Sequence, residues 1–82
     1  MKYLNRKRNG KGKEYANGNL IFEGVYSNGK RNGKGKEYDK NKLIFEGEYL
    51  YDQRLNGKEY INENLVHYFV GINPPIYIFF LK

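Results

Sequence analysis

The residues that could do chemistry are few. The 82-residue chain has no cysteine, which removes disulfides, thiolate nucleophiles and cysteine-based metal sites. It has no threonine, one serine (Ser27) and one histidine (His67). A Ser/His/Asp triad would have to use those two, and a His–carboxylate metal site would have a single imidazole. The chain is therefore expected to hold no catalytic residues, no metal and no cofactor. Gly24 to Lys30, GVYSNGK, meets the G-x-x-x-x-G-K spacing of a phosphate-binding loop. Arg31 stands where Ser or Thr would hold magnesium, however, and no helical period follows. G-x-G-x-x-G also fails, because Gly33-Lys34-Gly35 runs into Lys36, Glu37 and Tyr38.

What remains is charge. The formal net charge is +6, and the basic residues are ordered. Lys7, Arg8, Lys11 and Lys13 recur as Lys30, Arg31, Lys34 and Lys36, then thin to Arg54 and Lys58. On hairpins whose strands lie ~4.8 Å apart, equivalent residues fall roughly 10 Å from one another, near the Debye length of ~8 Å at physiological salt. Lys11, Lys13, Lys34 and Lys36 are thus candidate contacts for acidic phospholipid headgroups, at about 1 kcal/mol for each nearby cation. The competing reading is a solvated edge on which lysines block strand pairing. Glu14, Glu37 and Glu59 alternate with the lysines and favour that second reading. Rings interleaved with lysine could stack nucleobases, but they sit where hairpin stacking needs them, so nucleic acid is not an expected partner. The start, MKYLNRKRNG, is polar and has no apolar stretch. A cytoplasmic setting is expected, with peripheral membrane contact as the alternative.

The elements that position these residues are set by a repeat. Lys7 to Gly29 reads KRNGKGKEYANGNLIFEGVYSNG and Lys30 to Asp52 reads KRNGKGKEYDKNKLIFEGEYLYD; the two agree at 15 of 23 positions. Self-similarity of this length implies one supersecondary unit stacked on copies of itself. Residues 53–66 are a degenerate third copy and residues 1–6 a partial one, since Tyr3 falls 23 before Tyr26. The unit F-E-G-x-Y, a short Asn/Gly turn and then N-G-K-G resembles the MORN (membrane occupation and recognition nexus) repeat over residues 3–66. Phe22, Gly24, Tyr26, Gly33 and Gly35 carry the resemblance, and so do Phe45, Gly47 and Tyr49, with Gly10 and Gly12 ahead of them. The chain departs from the pattern in having no tryptophan, and its third G-x-G is reduced to Gly57. The resemblance implies an all-β, open-ended antiparallel meander of stacked hairpins. It also implies a non-catalytic scaffold or protein-interaction module, with acidic phospholipid as the alternative target.

Asn17-Gly18 is a strong type I′ hairpin signal, and Lys40-Asn41 is the equivalent, weaker tip. With Asn17-Gly18 as the tip, Tyr15 faces Leu20, Lys13 faces Phe22 and Lys11 faces Gly24. Period-2 alternation then puts Leu20, Phe22, Gly24 and Tyr26 on one face and Ile21, Glu23 and Val25 on the other. Asn28-Gly29 and Asn32-Gly33 turn the chain into the next hairpin, and Asn62-Glu63 is the expected third tip. Glycine in mid-strand would let a ring from the neighbouring hairpin lie flat over backbone, or else mark a bulge. The expected repeat core is Tyr15, Phe22, Gly24, Tyr26, Tyr38, Phe45, Gly47 and Tyr49. The Phe22, Tyr26, Phe45, Tyr49 face, or the free end strands, would take a peptide or another copy of the chain.

From His67 the repeat breaks, because HYFVG replaces FEGEY, and Tyr68 and Phe69 are expected to leave its register. Residues 67–82 form an apolar tail with three open readings: a strand covering the last hairpin, the product of a shifted reading frame, or a segment dipping into a membrane. Ile76 to Leu81 is too short to cross a bilayer, which takes ~20 residues. Two and a half repeats bury little, so an open edge seeking a partner, a longer parent array or a covering tail is expected.

Overall fold

The computed structural model describes residues 8–71 and 74–81. The chain forms one antiparallel seven-stranded sheet in which each strand pairs with the next in sequence. The strands are β1 (Gly10–Ala16), β2 (Asn19–Ser27), β3 (Lys30–Asp39), β4 (Lys42–Leu50), β5 (Gln53–Asn62), β6 (Leu65–Val70) and β7 (Ile76–Leu81). The described residues span 46 × 31 × 15 Å and form a single layer, with no second layer among them against which to bury a face. This is the all-β open meander that the repeat implied.

The five connections from β1 to β6 are two-residue turns. Asn17, Asn28, Lys40 and Tyr51 have φ between 49° and 53°, and the residues after them, Gly18, Gly29, Asn41 and Asp52, have φ of 68–81°. Positive φ at both central positions defines the type I′ turn, whose twist matches the strands it joins. Lys40-Asn41 therefore holds the same turn as Asn17-Gly18, although it lacks the glycine. Asn32-Gly33 is not a turn. It lies inside β3, where the β2–β3 register shifts and Gly33 takes φ 117°. The third tip is Glu63-Asn64, one residue later than expected.

The register differs from simple alternation. Tyr15 does pair with Leu20, but the next pairs are Glu14↔Phe22, Lys13↔Glu23 and Gly12↔Gly24. A bulge absorbs Ile21, and a second absorbs Ile44 at the same place in the next hairpin, between Tyr38↔Leu43 and Glu37↔Phe45. An extra residue on one strand shifts every pair beyond it. Ile21, assigned to the far face by strict alternation, packs against the buried rings.

The shift has a large consequence. Gly12, Gly24, Gly35, Gly47 and Gly57 stand opposite one another across five strands. They form a lane of bare backbone down the middle of the sheet. A Cβ on Gly35 would lie 2.6 Å from Phe22 Cζ and 3.1 Å from Tyr49 Cε1, and one on Gly57 would lie 2.7 Å from Phe45 Cζ. The rings lie over the space that side chains would take. Phe22 and Phe45 are 0 % exposed, Tyr49 2 % and Tyr26 5 %. Neighbouring rings meet edge to face: Phe22 and Tyr26 at 5.7 Å, Phe22 and Tyr49 at 5.1 Å, Phe45 and Tyr49 at 5.6 Å, all near 86°. Such pairs are worth about 0.5–1.5 kcal/mol beyond the area they bury.

The repeat register continues past the point where the sequence pattern breaks. Glu59↔His67, Lys58↔Tyr68 and Gly57↔Phe69 reproduce Glu37↔Phe45, Lys36↔Glu46 and Gly35↔Gly47. His67 thus occupies the place of phenylalanine and is buried there. β7 then pairs along the whole of β6, from Val70↔Ile76 to Leu65↔Leu81, so Ile76–Leu81 of the tail forms a strand on the last hairpin.

Gly35→Ala is expected to lower stability in urea unfolding by about 1–3 kcal/mol through overpacking, because Gly35 does not need positive φ. The pair Gly35→Ala with Phe22→Leu is expected to lose less than the sum of its parts. Strict additivity would show that the ring does not rest on that glycine.

Candidate functional site

The bulges sort the side chains into two faces of different chemistry. The ring face carries Phe22, Tyr26, Phe45 and Tyr49, and it is closed by arginines. The Arg31 guanidinium sits 4.1 Å from the Phe22 ring centre, Arg54 4.3 Å from Phe45, and Arg8 4.8 Å from Tyr26. Cations over ring faces are attracted by the ring quadrupole. The face expected to receive a peptide is therefore filled and capped by the chain itself.

Glutamates hold the arginines in place. Arg31 donates from Nε (3.0 Å) and Nη2 (2.9 Å) to the two oxygens of Glu14, and the Tyr26 hydroxyl donates to the same carboxylate. One repeat on, Glu37 accepts from the Tyr49 hydroxyl at 2.6 Å and from Arg54 Nε at 2.7 Å. Arg54 also reaches Glu59, which meets His67 Nε2. His67 Nδ1 is buried without a hydrogen-bond partner among the described residues. Glu14, Glu37 and Glu59, expected to dilute the lysines, thus lie on the opposite face and serve the ring column. Arg31 with Arg54 and Glu14 with Glu37 and Glu59 repeat in step with the rings. That periodicity was the available signal for their role.

The hydrogen bonds shift the ionisation of these groups. The Arg31 fork holds the Glu14 carboxyl below the usual carboxylate range. Burial pushes Glu37 upward, but the bonds from Arg54 and Tyr49 outweigh it and leave its carboxyl lowered. Burial, and then the bond to Glu37, pushes the Tyr49 hydroxyl well above its ordinary value.

Two expected core tyrosines are elsewhere. Tyr15 is 61 % exposed, and Tyr38 is half-buried with its hydroxyl on Glu23 at 2.6 Å. Each stands one residue past the pair Glu14↔Phe22 or Glu37↔Phe45, so alternation carries it to the other face. Tyr60 repeats this contact on Glu46. Glu23 pushes the Tyr38 hydroxyl up to about 12. Gly24 and Gly47 lie in the glycine lane, Gly24 under the Phe22 ring and Gly47 against the backbone of Asn56 and Gly57.

The lysines gather on the second face. Lys11, Lys13, Lys34 and Lys36 are all exposed and line one groove of about 960 Å³ together with Lys58, Glu23, Glu46 and Glu48, with Tyr68 also on its wall. Its floor is the glycine lane. Across the strands the pairs run Lys13↔Glu23↔Lys36↔Glu46↔Lys58↔Tyr68, so the sign alternates at every strand up to Lys58. Lys34 faces Glu48 in the row beside it. Among the described residues no lysine of this groove makes an ion pair within 4 Å. Ser27 ends β2 while His67 lies on β6, so the sheet does not bring them together. Among the described residues no group of three or more His, Cys, Asp or Glu could hold a metal ion.

A single-layer sheet of repeating hairpins, with rings and arginines on one face and a charged groove on the other, is the architecture of a β-repeat protein. The family model for the MORN repeat matches residues 7–20 and 22–43, and the chain carries a short array of MORN repeats over residues 7–43. No curated protein and no solved structure matches it.

Glu14 and Glu37, lowered in the folded state, favour folding at pH values above 4.5, the ordinary carboxyl value. That contribution is lost as pH falls through their folded-state values. Denaturation midpoints are expected to fall on acidification from pH 5 to about pH 2. Glu14→Gln with Glu37→Gln is expected to be less stable at neutral pH and to show a shallower acid limb. An unchanged limb would remove these carboxylates from the stability account.

Proposed function

We propose that the chain is a non-catalytic interaction scaffold, and that its binding surface is the lysine-face groove, occupied by an extended segment of a partner protein carrying both signs of charge. The observation that carries this reading is the alternation Lys13, Glu23, Lys36, Glu46, Lys58 along neighbouring strands. The five amines in the groove are exposed or half-buried and make no ion pair within 4 Å among the described residues, so they can pair with an incoming ligand. The glycine floor gives that ligand a close approach to backbone, which larger residues would prevent.

Acidic phospholipid is the weaker occupant. Five lysines against three glutamates leave a local excess of +2 by difference. The pairings set Glu23, Glu46 and Glu48 directly across from Lys13, Lys36 and Lys34. A uniformly anionic surface would meet those carboxylates as well as the amines. A polypeptide of mixed charge can satisfy both, and complementary charge of this kind sets specificity and register.

A displayed library of random peptides panned on the full chain is expected to return sequences with interleaved acidic and basic residues. Lys36→Glu is expected to weaken a selected peptide about tenfold, equivalent to 1.4 kcal/mol. Exchanging the pair, Lys36→Glu with Glu46→Lys, is expected to restore part of that loss. Salt-sensitive sedimentation with vesicles containing acidic phospholipid, abolished by Lys34→Glu with Lys36→Glu while no peptide depends on Lys36, would overturn the reading in favour of a lipid surface.

A further inference from the structure

Among the described residues the two outer strands of the sheet are opposites. β1 carries Lys11 and Lys13, both exposed. Charged side chains on an edge strand discourage another strand from docking there. β7 reads IYIFFL, with no charge, no glycine and no proline. Its inner edge pairs with β6, and its outer edge has no partner strand among the described residues. Ile76, Tyr77, Ile78, Phe79 and Phe80 are each 47–57 % exposed, the densest run of exposed apolar side chains in the sheet. The exposure falls on both faces. Tyr77 and Phe79 contact His67 on the ring face, while Phe80 meets Tyr68, which lines the lysine groove.

We propose that this edge is a self-association site: β7 of one copy pairs antiparallel with β7 of a second, joining two seven-stranded sheets about a two-fold axis. The inference concerns the sheet edge and is independent of what occupies the groove.

Three observations select a second copy. Because every residue from Ile76 to Phe80 is apolar, a two-fold antiparallel pairing sets apolar against apolar wherever it is centred. With Ile78 on its own counterpart, Ile76 meets Phe80 and Tyr77 meets Phe79. The alternative contact, β7 on the β1 of another copy, would set Lys11 and Lys13 beside an apolar strand in any register. The amines would then lose solvent without gaining a partner. That mismatch stops head-to-tail growth and closes the assembly at two, as an isologous contact requires. Area is the third. Five half-exposed large side chains offer on the order of 100 Å² each. The two edges together present about 1,000 Å² of apolar surface, the scale of a specific interface, and pairing adds a row of backbone hydrogen bonds.

The test uses the full chain. Sedimentation equilibrium is expected to give twice the 9.7 kDa chain mass at tens of micromolar. Ile78→Lys is expected to give the chain mass at the same concentration with the β-sheet circular dichroism unchanged. Since the sequence has no cysteine, single-cysteine variants provide a readout that does not depend on that variant folding. Ile78→Cys is expected to cross-link into a dimer with a short bis-maleimide, at least tenfold faster than Lys11→Cys. Lys36→Glu, in the groove, is expected to leave the mass unchanged, which separates this site from the proposed binding surface. A monomeric wild type, equal cross-linking at positions 11 and 78, a mass that climbs past two copies, or partition into neutral-lipid vesicles in place of dimer formation would each overturn the proposal.

Discussion

Phe22 rests on backbone that has no side chain, and the rest of the sheet follows from that contact. In a single layer nothing stands opposite a ring to exclude water from it. The layer must provide the cover itself, and it does so in the plane of the sheet. The ring lies over Gly24 and Gly35, its edges meet Tyr26 and Tyr49 at right angles, and Arg31 closes the top. Phe45 receives the same treatment from Gly57, Tyr49 and Arg54. Each ring draws its cover from more than one strand, so a hairpin cannot complete its own core. Repeat folds depend on this borrowing between neighbouring units.

The borrowing also explains why the two faces differ. The ring face spends its polar groups internally. Glu14 and Glu37 each bind an arginine and a tyrosine hydroxyl, which fixes the arginines where the rings need them. The lysine face has no such obligation, except that Tyr38 and Tyr60 bond Glu23 and Glu46. Its amines stand free of intramolecular ion pairs among the described residues, over a floor that is flat because the glycine lane is shared by both faces. One residue type thus serves two ends: room for rings on one side and a shallow groove on the other.

At its C-terminal end the array meets a problem that the repeat cannot solve. His67 stands in the phenylalanine column, with Nε2 on Glu59 and an Nδ1 unpartnered among the described residues. Gly57 faces Phe69 where the lane would continue with a glycine. β7 covers this imperfect unit with rings of its own: Phe79 lies 4.6 Å from His67 at 88°, and Tyr77 reaches both His67 and Phe69. The cover closes one unit and leaves a new apolar edge outside it.

The period of 23, the Asn-Gly tips and the recurring F-E-G-x-Y were enough to give an open meander of hairpins with Phe22, Tyr26, Phe45 and Tyr49 on one face. Each of those features acts within a few residues, as local backbone preference or as side-chain alternation. The tertiary structure decided what depends on pairing between strands. Ile21 and Ile44 are ordinary strand residues by type, and only the ladder shows that they are the extra ones. Those bulges moved Tyr15 and Tyr38 off the ring face and put Glu23 and Glu46, not Glu14 and Glu37, among the lysines; with the β2–β3 and β4–β5 ladders they brought five glycines into line. The persistence of register through His67 was equally hidden. Side-chain identity had broken there, while the backbone hydrogen bonds that carry register do not depend on it.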